Sequence, residues 1–92
     1  MSEHRETVVI VNKRGLHARA SAKFVNHVSE LPEHLQVSVE TGKGVAAGGS
    51  ILSLMMLGAA MGDSIEICVS GDGAEAALAS LVELVRTGFG EQ

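Results

Sequence analysis

TVVIVNKRGLHARASAKF, Thr7 to Phe24, holds the junction from which the rest of the chain can be read. Its opening run is β-branched, the composition of a strand. From Ala18 the pattern changes: Ala20, Phe24, His27/Val28 and Leu31 fall on one face at helical spacing. Between the two lie Lys13, Arg14, His17 and Arg19, so one imidazole and three cations crowd a strand-to-helix junction.

Working outward, residues 6–11 read as a strand and 18–31 as a helix that Pro32 stops. LQVSVE, 35–40, alternates with Leu35, Val37 and Val39 on one side, as a half-buried strand does. TGKG turns the chain into a short strand at Val45–Ala47. Ser50 is placed to cap a short helix, ILSLMMLG, which Gly58 or Gly62 can end. SIEICVS, 64–70, alternates again with Ile65, Ile67 and Val69 inward, which turns Cys68 to the opposite face. Asp72 and Glu75 form a D-x-x-E variant of the capping box. The last helix runs to about Thr87, burying Ala74, Leu78, Leu81 and Val85, and Gly88 closes it.

Strands with one polar and one apolar face imply an antiparallel sheet with helices on one side only. The expected fold is α+β: an open-faced βαββαβα sandwich, a four-stranded antiparallel sheet covered on one face by three helices. Ninety-two residues make one domain, spanning 1–92. With two Phe and no Trp or Tyr, its core must be aliphatic.

Composition removes several classes of function. A net charge of −4 and few aromatics argue against nucleic acid as a partner. One cysteine precludes an internal disulfide and suits a reducing cytoplasm. The apolar stretch ILSLMMLGAAM is too short for membrane insertion. His4, His27 and His34 have no metal-ligand spacing with Cys68, so no metal and no organic cofactor is expected. Lys23 reads as a solvating helix charge, and Glu83 and Glu91 as surface charge.

His17 is the candidate for chemistry. It stands at the first turn of the helix, where backbone N–H groups lack intrahelical partners and the dipole is positive. A phosphate is stabilised there, and the Arg19 fork matches its oxygens. Imidazole is a competent nucleophile near neutral pH. By spacing alone a histidine that merely caps the helix is the commoner arrangement.

Asn12-x-x-Gly15-Leu16-His17-Ala18-Arg19 resembles the active-site signature of HPr, the histidine-containing phosphocarrier of the bacterial phosphotransferase system. The stretch from Gly49-Ser50-Ile51-Leu52 through Gly62 resembles the family's second motif. The resemblance implies a phosphoryl group carried on Nδ1 of His17 and supported by Arg19. It implies enzyme I, charged by phosphoenolpyruvate, as donor and an enzyme IIA-type protein as acceptor, with the carrier a monomer and a substrate of enzymes rather than an enzyme. It also places Ser50 at the serine phosphorylated by HPr kinase/phosphorylase. A regulatory module switched at Ser50 is the alternative reading. Leu16, Ala20, Ile51, Leu52 and Met55 are expected to form a partner-docking patch. The Leu-Met-rich second helix and the ending VRTGFGE resemble the nitrogen-related branch, whose carrier regulates rather than feeds sugar permeases. Ala20 departs from the pattern, since the family usually has proline after the arginine.

Overall fold

A computed structural model describes residues 3–91. The elements run β1 (Glu3–Val9), α1 (Ala18–Ser29), β2 (Gln36–Thr41), β3 (Gly44–Ala47), α2 (Ile51–Met56), β4 (Ser64–Ser70) and α3 (Ala74–Arg86), followed by a single tight turn at Gly88–Gly90. The sheet order is β1-β4-β2-β3 and every pairing is antiparallel. The expected open-faced sandwich is therefore the observed one.

Alternation along β4 sorts the layers. Ile65, Ile67 and Val69 are fully buried beneath the helices. In register beside them stand Val8 opposite Ile65 on β1, and Val39 opposite Ile67 on β2. From above come Phe24 of α1, Leu54 of α2, and Leu78, Leu81 and Val85 of α3. Burying each such side chain contributes about 1.5–3 kcal/mol, so this apolar layer, aliphatic apart from the buried Phe24 and Phe89, is the main force for the fold.

On the open face, Arg5 reaches Glu66 at 2.9 Å, Glu40 at 3.4 Å and Glu3 at 3.6 Å. These are exposed pairs and contribute little. Cys68 does face this side, between Arg5 and Ser38 in register, but it is buried. Burial pushes its thiol pKa up, despite the pull of Arg5 in the other direction.

Several boundaries differ from the sequence reading. β1 begins at Glu3 and stops at Val9; Ile10 pairs instead with the loop before β4, its N–H donating to the Asp63 carbonyl at 2.9 Å. α1 ends at Ser29, short of Leu31, because the residue before a proline is driven out of helical conformation. The Asp72–Glu75 capping box does not form. Gly73, at φ +86°, is the residue that caps α3, and no side chain bonds there. This places Asp72 one position too early and Glu75 in the first turn, while the Asp72 carbonyl accepts from His34 Nε2 at 2.8 Å.

Candidate functional site

The loop leaving β1 is tied down from three sides. The Gly15 N–H donates to the Asn12 carbonyl at 3.1 Å, and Asn12 Nδ2 donates back to the Gly15 carbonyl at 2.9 Å. The Leu16 N–H donates to the Ala59 carbonyl at 3.0 Å. Gly15 adopts φ +63°, which glycine allows without strain. Leu16 then drops its side chain into the core, and Ser21 Oγ donates to the Leu16 carbonyl at 3.2 Å from a fully buried position.

His17 is consequently the N-cap of α1, extended at φ −74°, ψ 179°. Its Nδ1 accepts from the Arg19 backbone N–H at 3.3 Å. That N–H can only donate, so Nδ1 holds a lone pair and the ring proton sits on Nε2. Nε2 then donates to Glu91 Oε2 at 2.7 Å. Arg19 projects into solvent with its Nε 3.6 Å from the same oxygen.

Glu91 is the residue the sequence reading missed. Taken as surface charge, it is instead packed into the site with a side chain only 13% exposed. Asn12 Nδ2 donates to its Oε1 at 3.0 Å. The orientation of the Asn12 amide follows, because both neighbours of Nδ2 are acceptors; its buried Oδ1 has no partner among the described residues. Burial pushes the Glu91 carboxyl up, but the hydrogen bonds from Asn12 and His17 and the charge of Arg19 outweigh it. The carboxyl is held below its ordinary range. With Glu91 alongside, the His17 side chain is 15% exposed, less open than a freely presented acceptor would be.

Lys23 also differs from expectation. Its Nζ donates to the Phe89 carbonyl at 2.8 Å, tying α1 to the C-terminal turn. Lys13 and Arg14 are exposed.

The second motif forms a separate short helix that packs on α1 and β3. Ser50 is its N-cap, accepting from the Ser53 N–H at 3.2 Å and donating to Ser53 Oγ at 3.0 Å. Leu54 and Leu57 are buried, while Ile51, Leu52 and Met55 are exposed together with Met56 and Met61. Leu16 and Ala20 do not belong with the exposed set. Leu16 is 5% exposed and Ala20 is fully buried, because the loop turns one inward and the helix face buries the other. Neither side chain is presented at the surface. Among the described residues, no three His, Cys, Asp or Glu side chains gather as metal ligands, and no helix is long and apolar enough to cross a membrane.

The family described as "PTS HPr component phosphorylation site" matches residues 4–87. The chain belongs to the HPr family. It is 38% identical over 84 residues to the phosphocarrier protein HPr of Pseudomonas aeruginosa, covering 91% of this chain and 92% of that one. It is 36% identical over 91 residues to the phosphocarrier protein NPr of Shewanella violacea, covering 99% and 98%. A crystal structure of HPr from Thermoanaerobacter tengcongensis superposes with a TM-score of 0.86 at 37% identity, covering 100% of this chain and 99% of that one. HPr-family relatives are phosphocarriers of the phosphotransferase system by name, under both the HPr and the NPr label.

Proposed function

We propose that the protein accepts a phosphoryl group on His17 Nδ1 from an enzyme I-type donor and passes it to an enzyme IIA-type acceptor in the cytoplasm. The observation that carries this reading is the division of labour in the ring. Nε2 is committed to Glu91, while Nδ1 keeps its lone pair at the helix N-terminus. A phosphate formed on Nδ1 would meet the first backbone N–H groups of α1 and the Arg19 guanidinium, both suited to its charge. Ile51, Leu52 and Met55 provide the apolar docking patch, with Met56 and Met61 extending it. The carrier supplies a nucleophile and a binding surface, and its partners supply the catalysis.

Incubation with phosphoenolpyruvate and enzyme I should place acid-labile phosphate on the protein. Labelling that persists in His17→Ala rules the assignment out. Charging by sugar-type and nitrogen-type enzymes I, compared side by side, decides the branch.

Ser50 supports a second, compatible reading as a regulatory phosphorylation site for an HPr kinase/phosphorylase. Its hydroxyl is half-buried at a helix start, flanked by the exposed Ile51 and Leu52. A phosphate there adds negative charge to the docking surface. Acid-stable label from ATP and the kinase, lost in Ser50→Ala, is the corresponding test.

A further inference from the structure

The chain past α3 takes an unusual path to reach His17. Gly88, Phe89 and Gly90 all have positive φ, at +69°, +57° and +73°. Phe89 is the one non-glycine residue in that region among the described residues. A bulky side chain is disfavoured there and persists only where its surroundings impose it. Two contacts do so. The ring of Phe89 is 1% exposed in the core, and its carbonyl accepts from Lys23 Nζ at 2.8 Å. The left-handed turn reverses the chain and brings the Glu91 carboxylate to His17 Nε2, Asn12 Nδ2 and Arg19.

We propose that Lys23 is a positioning residue of the phosphoryl-acceptor site: by holding the Phe89 carbonyl it keeps Glu91 against His17. The inference rests on the reading of His17 as acceptor. With Glu91 in place, the neutral ring carries its proton on Nε2 and its lone pair on Nδ1. The Nδ1 lone pair attacks phosphorus; the N–P bond forms as the bond to the donor breaks, and that electron pair leaves with the donor. The Nε2 proton stays on the ring, and the positive charge that develops there faces Glu91. Released from Lys23, the turn lets Glu91 swing out, and the ring then samples the tautomer protonated on Nδ1, which has no lone pair there and cannot attack through that nitrogen.

The test combines His17 imidazole ¹⁵N spectra, recorded at about pH 8 above the ordinary imidazole range, with phosphoryl-acceptance kinetics. The variants are Lys23→Met, Lys23→Arg, Glu91→Gln and the Met/Gln double variant. Lys23 is on the surface, so its replacement leaves the core in place. Lys23→Met should shift the two ring nitrogens toward one another and lower the acceptance rate at saturating donor about tenfold, the effect of one lost charge-assisted bond, with KM unchanged. Lys23→Arg should restore both signals. In the Glu91→Gln background, Lys23→Met should have no further effect. Wild-type spectra and rate in Lys23→Met, or an equal loss with and without Glu91, would overturn the proposal. Absence of label on wild-type His17 would instead remove the acceptor reading, while the ring spectra still decide the role of Lys23.

Discussion

The Ala59 carbonyl oxygen lies 2.4 Å from where a β-carbon on Gly15 would stand. The same carbonyl accepts the Leu16 N–H, so the contact belongs to the hinge that delivers His17. A side chain at Gly15 would need the backbone of 59–60 to move and would occupy φ +63° besides. Gly15→Ala should therefore destabilise the fold by about 2–4 kcal/mol, combining left-handed strain with a backbone clash. Gly42, with nothing near its added β-carbon, is the control, and Gly42→Ala should stay within about 0.5 kcal/mol. Urea unfolding of the two variants checks the contrast.

Glu91 makes part of the stability pH-dependent, with a definite sign. Its carboxyl is held below its ordinary range in the fold. The folded chain therefore binds the proton less readily than the unfolded chain. The contribution is complete above the ordinary carboxylate range and is lost as pH falls through the lower folded value. The melting temperature of the natural protein should exceed that of Glu91→Gln at about pH 6, and the gap should close toward about pH 3. Thermal melts at a series of pH values measure it, and a gap that widens in acid would contradict the assigned contacts.

The fold was legible because its signals are local. β4 follows the alternation of SIEICVS, and Ser50 caps α2 where a serine before an apolar run should. Capping of α3 was misread because Gly73, free to take a left-handed conformation, overrides the side-chain oxygen of Asp72 beside it. Most of the site was legible for the same reason, since Asn12, Gly15, His17 and Arg19 lie within one loop and one helical turn. Glu91 was not, standing 74 positions from His17 in sequence and reaching it only through the left-handed turn at Phe89, a conformation no propensity forecasts. Leu16 was read as a docking residue because hydrophobicity does not reveal which way a tight loop points; the Ala59 bond turns it inward.

Ala20 occupies the third position of α1, where the resemblance to HPr leads to the expectation of a proline. The first helical bond recorded in this turn runs from the Ser21 N–H to the His17 carbonyl, so a proline at 20 removes no such bond. Ala20→Pro should fold, accept phosphate on His17, and alter stability by no more than about 1 kcal/mol. Denaturation and charging by enzyme I check both parts; a variant that folds and cannot be charged would contradict the correspondence between this turn and that of its relatives.

Cys68 should make the protein sensitive to alkali and resistant to thiol reagents. It lies in β4, the strand that pairs with both β1 and β2, and is 5% exposed. Burial raises its pKa, so the folded chain keeps a proton that the unfolded chain gives up. The contribution of the neutral thiol is complete below the unfolded thiol range and is lost as pH rises through the higher folded value. Between about pH 8 and about pH 9.5 the natural protein should lose stability more steeply than Cys68→Ala. Other titrating groups are common to both proteins and cancel in the comparison. The same burial slows attack by a disulfide reagent, because the thiolate is the reactive form and the sheet restricts access to it. Native protein should react far more slowly than protein unfolded in urea at the same pH. Equal rates in the two states would mean that β4 opens at its centre on the timescale of the reaction.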